Sequence, residues 1–198
     1  MFSIIKNTFF YKRAEGNGHF EWRTTCKQLF IATHNFEFFA LLRQLPGSKK
    51  LRFFFTKRIS PCRAIFTDMP SSILKYSSEY HYLFSIIHGY NESTDKTDIE
   101  LLLSIPNAMR RFLELYTFAK IPLYSDSTVD QRAEILFGPE KSLRVLKVLH
   151  HFSHLNNIER IAANTDLISD VETAVKEIID HLINKDKMHY DALLQSLP

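Results

Sequence analysis

Lys27-Gln28-Leu29-Phe30-Ile31-Ala32-Thr33-His34-Asn35-Phe36-Glu37-Phe38-Phe39 decides how the front of this chain is read. Leu29 to Ala32 is a short apolar run between polar residues, the pattern of a strand buried on both faces. Asn35 offers a side-chain oxygen to a helix start. Pro46-Gly47 supplies the stop, so a helix is predicted from about Phe36 to Leu45. A histidine just past the carboxyl end of a parallel strand stands where open α/β sheets take their ligands. His34 would hold that place and could meet a terminal phosphate or an attacking water. Capping the helix that follows is the plainer use of the same ring.

The elements on either side follow the same logic. Residues 3–12 are predicted to start a helix, and residues 14–25 to be irregular because Gly16, Asn17 and Gly18 break them. Leu51–Ile59 and Cys62–Phe66 read as strands divided by Pro61. From Pro70 the pattern turns helical: 70–90, with Tyr76, Tyr80, Leu83, Phe84 and Ile87 on one stripe and Gly89 at the end. After a polar loop, helices are predicted at about 98–104, 106–120, 128–137, 139–157 and 166–196. The chain is therefore expected to be α+β over residues 1–68 and mainly α-helical over 69–198. Two or three strands do not close a sheet. The front is expected to pair with another chain or to be the back end of a longer protein.

Composition sets the outer limits. The chain has 198 residues, 45% of them apolar, with 17 Phe and 8 Tyr that need a core, which excludes a disordered chain. No run approaches the roughly 20 apolar residues of a membrane span. Neither G-x-x-x-x-G-K-[ST] nor G-x-G-x-x-G occurs among the five glycines, so the chain has no phosphate-cradling loop of its own. Two cysteines, Cys26 and Cys62, suit a reducing, cytoplasmic setting and cannot build a metal quartet. The start, MFSIIKNTFFYKR, lacks the basic opening and long apolar region of a signal peptide.

The net charge of +3 conceals an asymmetry. Residues 1–68 carry 12 basic and 4 acidic side chains, and no acid interrupts Arg43, Lys49, Lys50, Arg52, Lys57, Arg58 and Arg63. Such a lobe can sit on phosphates, with Lys49, Lys50, Arg52, Lys57 and Arg58 as candidate contacts. A solvated strand edge guarded by lysine would look the same.

Two further constellations lie in the helical part. Met109, Phe112, Leu113 and Tyr116 mark a buried face, which sets Arg110 and Glu114 together on its flank and points Arg111 away. The pair can face a cleft or be an ordinary surface ion pair. Val145, Val148, Leu149 and Phe152 mark a second buried face, leaving His150 and His154 opposite it and His151 and Arg144 to one side. The glutamate of H-E-x-x-H is missing, so general acid–base work suits these histidines better than metal binding. A polar surface or a subunit contact is the bland alternative.

QLFIATHNFEFF resembles the switch-histidine strand of ABC-type ATPases. Followed in order by SEYHYLFSII, IPNAMRRFLELY and HHFSHLN, it resembles the AAA-family ATPases of bacterial phage defence that include the anticodon nucleases, over about residues 1–10 and 26–195. The resemblance implies the part of such a protein after its Walker B strand: the end of an ATPase sheet, with His34 sensing ATP, then an HEPN-like helical effector region. It implies metal-independent cleavage of RNA at a tRNA anticodon by an Arg-x-x-x-Glu pair and a downstream histidine. Here these match Arg110, Glu114 and His154. HEPN ribonucleases use an arginine with a histidine a few residues on, which Arg144 with His150 or His151 would supply. ATP and Mg are implied only where another chain, or the rest of a longer protein, brings the Walker motifs. A homodimer is implied for that full-length state. Two other readings stay open: a non-catalytic module that binds nucleic acid or a partner, and an inactive remnant.

Overall fold

The computed structural model describes residues 1–15, 19–46, 51–124, 126–153 and 165–197. They fall into two compact units, Met1–Glu79 and Tyr80–Pro198.

The first unit is α1 (Phe2–Phe9), β1 (Phe10–Ala14), β2 (Phe20–Thr24), α2 (Phe36–Leu42), β3 (Phe54–Ser60), β4 (Arg63–Asp68) and α3 (Ser71–Lys75). The strands form two separate antiparallel ribbons, β1–β2 and β3–β4. β1 takes the end of the helix expected over 3–12, which stops at Phe9, and β2 lies within the stretch expected to be irregular at 14–25. Phe20-Glu21-Trp22-Arg23-Thr24 alternates apolar and polar residues as a strand requires. β3–β4 runs from Phe54 opposite Asp68 to Ser60 opposite Arg63, with a bulge between Arg58 and Ser60. The Arg58 guanidinium secures this turn by donating to the carbonyls of Ser60 (3.1 Å) and Pro61 (2.7 Å).

The strand expected at Lys27–Thr33 is not formed. This stretch is irregular, and Leu29, Phe30 and Ile31 are 37, 82 and 37% exposed. A strand buried on both faces needs neighbours that take its backbone N–H and C=O groups. Among the described residues none flanks it. The expected end of an ATPase sheet is therefore corrected to two small ribbons. His34 lies not at a strand end but on an exposed stretch leading into α2. The helix start does follow the sequence: Asn35 Oδ1 accepts from the Phe38 amide at 2.7 Å.

The second unit is helical: α4 (Glu79–Glu92, beginning at the last residue of the first unit), α5 (Ile99–Lys120), α6 (Val129–Phe137), α7 (Pro139–Ser153), α8 (Thr165–Lys185) and α9 (Lys187–Gln195). Several helix boundaries differ from expectation. The helix predicted over 70–90 breaks at Tyr76, whose backbone is extended, and α4 runs on past Gly89. α5 continues through Pro106, although that residue has no N–H for a bond within the helix. It is held by Leu102, Ile105, Ala108, Met109, Phe112, Leu113 and Tyr116, all buried along one stripe. The helix predicted over 166–196 breaks at Asp186 (φ −144°, ψ 48°). α6 begins in a capping box formed by Thr128 and Gln131, and Gly138 (φ 81°) turns the chain into α7.

The core of this unit joins the stripe of α5 to Leu83, Phe84, Ile87 and Tyr90 of α4, Val145, Val148 and Leu149 of α7, and Val171, Ala174, Val175, Ile178 and Leu182 of α8. In the first unit, Leu42 and Leu45 are the buried apolar residues among those described.

Candidate functional site

On the flank of α5, Glu114 lies between two guanidiniums. Arg110 Nε is 3.3 Å from Oε1, and Arg111 Nη1 is 3.0 Å from Oε2. The i, i+4 pair forms as its spacing demands, and the i, i+3 spacing draws in Arg111, which the projection had pointed away. All three side chains are partly exposed, so the pairs add little stability. Their value is chemical: two planar cations held by one carboxylate can meet a phosphate in a bidentate manner.

α7 buries Val145, Val148 and Leu149 and leaves His150 outside. His150 Nε2 lies 2.8 Å from Asp130 Oδ2 on α6, and both side chains are well exposed. A carboxylate on one ring nitrogen fixes the tautomer and frees the other nitrogen to take a proton. The sequence reading missed Asp130, because it lies 20 residues away on another helix. Its only trace was its place in the first turn of a strongly capped helix. The His151 side chain and His154 lie outside the described residues.

Arg144 faces the other neighbour of α7. It donates to Glu177 Oε1 on α8, and Lys141 Nζ holds Oε2 at 2.9 Å. Lys147 pairs with Asp170 at 2.7 Å. Burial would raise the Glu177 carboxyl, but the bonds from Lys141 and Arg144 outweigh it and hold the group below the usual carboxylate range. Arg144 thus clasps α7 to α8. In the first unit, Arg52 donates to the Leu51 carbonyl, and Arg58 closes its own turn. Lys49 and Lys50 lie outside the described residues.

A second polar cluster, also missed, sits where α4, α5 and α9 meet. Tyr80 Oη and His189 Nε2 are hydrogen-bonded at 2.8 Å, and Tyr80, Phe112 and Tyr116 stack in a column against which His189 lies. Asp186, at the break between α8 and α9, accepts from Lys120 (2.7 Å) and from the Tyr116 hydroxyl (3.1 Å). His181 packs on Phe137 and on the edge of Tyr116. Burial raises both tyrosines far above their ordinary value. Burial lowers His181; Asp186 opposes this and Lys141, Lys185 and Lys120 add to it. Burial likewise lowers His189, against Asp186 and with Lys120 and His81.

A histidine whose folded pKa lies below the unfolded value near 6.5 lets the unfolded chain bind the proton first. Its effect on stability is absent above about pH 6.5 and unfavourable below it. Melting followed by circular dichroism should therefore give a lower Tm at pH 5.5 than at pH 7.5, and His181→Leu should flatten that dependence. A Tm independent of pH across this range would contradict two neutral histidines. The pair Asp186 and Glu177 acts lower, because depressed carboxylates lose their contribution only below about pH 4.

A family model described as the AAA domain matches residues 1–180. The chain belongs to that family. No curated protein and no solved structure matches it. An AAA domain implies ATP, and the residues of this AAA-domain chain do not fit it. The sequence has no glycine-rich Lys-Ser/Thr loop, and the described strands are two antiparallel ribbons with no strand leading through such a loop into a helix. No helix among the described residues is long and apolar enough to cross a membrane.

Proposed function

We propose that the helical unit of this AAA-domain chain is an effector that cleaves RNA without a metal ion, with tRNA as the substrate to test first. The observation that carries the reading is the His150–Asp130 pair at 2.8 Å on an exposed surface. It makes His150 the first of the three histidines to test. In the reaction the RNA 2′-OH attacks the adjacent phosphorus and gives its proton to the imidazole. The 5′-oxygen leaves and takes a proton back, so a 2′,3′-cyclic phosphate and a 5′-OH remain. Arg110 and Arg111 are suited to steady the charge of the phosphorane, with Glu114 orienting them.

The test is total tRNA incubated with the protein in EDTA, with and without a Walker-bearing ATPase polypeptide. Discrete fragments with cyclic-phosphate ends are expected, reduced about 100-fold or more by His150→Ala and clearly by Glu114→Ala and Asp130→Asn. Cleavage that survives His150→Ala and Glu114→Ala, or that EDTA abolishes, overturns the assignment. The basic front of the chain favours a second reading, a non-catalytic module that binds nucleic acid. Its signature is salt-sensitive binding with no cleavage.

A further inference from the structure

The two faces of the β1–β2 ribbon carry different chemistry. Side chains alternate along a strand, and directly opposed residues of an antiparallel pair share a face. Lys12 opposes Trp22 and Ala14 opposes Phe20, so Lys12, Phe20 and Trp22 stand on one face. Tyr11 opposes Arg23, and Arg13 opposes Glu21, on the other. The Lys12 ammonium lies over both rings of the first face, 5.4 Å from the centre of Trp22 and 6.0 Å from that of Phe20. A second cation comes from α1, whose Lys6 Nζ is 5.6 Å from the centre of the same Trp22 ring. Neither amine meets a carboxylate among the described residues. Glu15 and Glu21, the acids of residues 1–24, both pair with Arg23 of the opposite face. Phe20 is 64% exposed and Trp22 36%, so both rings stay open to solvent.

We infer that this face binds a single strand of nucleic acid, with bases stacked on Phe20 and Trp22 and phosphates held by Lys6 and Lys12. The inference rests on the nucleic-acid reading of the basic front and names the surface, the strand form and the contacts. Charge complementarity selects the occupant, because the charged groups on this face are cations and they rest on its rings. A cation over an exposed ring is held less tightly than a base stacked there. A phosphate that draws a lysine away therefore leaves the ring to the base. Ring faces receive bases whose own faces are free, as in an unstacked single strand and not in a duplex. A lipid surface would meet the ammoniums before the rings, and burying the rings would strip those ammoniums of water.

Trp22 is the one tryptophan of the chain, so its emission reports on this face alone. The experiment titrates the full chain with dodecauridylate and with its 2′-deoxy counterpart, unlabelled for tryptophan emission and 5′-fluorescein-labelled for anisotropy. The deoxy strand has no 2′-OH and cannot be cut by the proposed chemistry, so its binding is read apart from cleavage. Emission should be quenched in step with the rise in anisotropy, and a duplex of equal length should bind more weakly. Phe20→Ala should weaken binding about 5- to 100-fold. Lys6→Gln and Lys12→Gln should each lower the salt slope by about 0.7. Tyr11→Ala, on the opposite face, should leave binding unchanged. Phe20 and Tyr11 are exposed, so circular dichroism of both variants should match the parent chain. Salt-sensitive binding that leaves Trp22 emission unchanged and survives Phe20→Ala overturns this face while the basic-front reading stands. Binding of neither strand overturns both. Quenching by phosphatidylserine vesicles and not by the oligonucleotides makes the face a lipid contact and overturns the inference. His150→Ala should leave binding intact, so loss of cleavage and loss of binding are read separately.

Discussion

Phe112→Ala should destabilise the helical unit by about 3–5 kcal/mol, the range for deleting a buried phenyl ring. Phe112 is fully buried at the middle of α5. Its ring stacks on Tyr80 (centroids 4.8 Å apart) and on Tyr116 (5.7 Å), and it also touches Phe84. Truncation removes the middle of that column, and the neighbours cannot close in without giving up the Tyr80–His189 bond. Thermal unfolding should show Tm lowered by about 10 °C or more. Phe112→Leu, which keeps most of the volume, should cost much less. Similar losses for Ala and Leu would mean that the column is not what the site contributes.

Arg132→Leu is expected to cost about 1.5–3 kcal/mol, the range for hydrogen bonds with a charged partner. Arg132 is 7% exposed yet charged. Its Nε donates to Thr117 Oγ1 (3.1 Å) and its Nη1 to the Ser127 carbonyl (2.6 Å) and hydroxyl (2.9 Å), above the Phe118 ring. One guanidinium thus ties the end of α5 to the start of α6. Leucine fills the apolar space but leaves those acceptors without a donor. Lysine cannot reproduce the fork, so Arg132→Lys should recover only part of the loss. Urea denaturation should show a lower midpoint at unchanged slope. A midpoint equal to that of the parent chain would show that water replaces the guanidinium freely.

The helical unit was legible because its helices obey one period. Met109, Phe112, Leu113 and Tyr116 are all buried where the spacing put them, as are Val145, Val148 and Leu149. Breaks were harder, because a local signal competes with packing. Pro106 looked like a helix boundary and the apolar stripe overrode it, while nothing in the helical pattern around Asp186 announced a break there. The front misled for a different reason. Leu29–Ala32 has the composition of an inner strand, but a strand is made by its neighbours, and periodicity within one segment does not supply them. At the candidate site, Arg110 and Glu114 could be paired from spacing alone. Asp130 and Glu177 could not, since each is brought in by the packing of a second helix.

The bond between Tyr80 and His189 joins residues 109 positions apart, whereas α6 with α7, α7 with α8 and α8 with α9 are sequence neighbours. Much of the helical unit can therefore assemble from short-range encounters, and the entropy of bringing distant chain together falls on a few closures: α5 with α7, α5 with α8, and α9 with α4. Phe84 and His88 receive Tyr190 in the same step. α9 is short, and Leu193 is the one buried residue among those described in it. α9 is held by little buried apolar surface, so the helical unit opens at this end first. Amides of α9 should exchange with solvent through a local opening, well before the long helices α5 and α8 give up theirs.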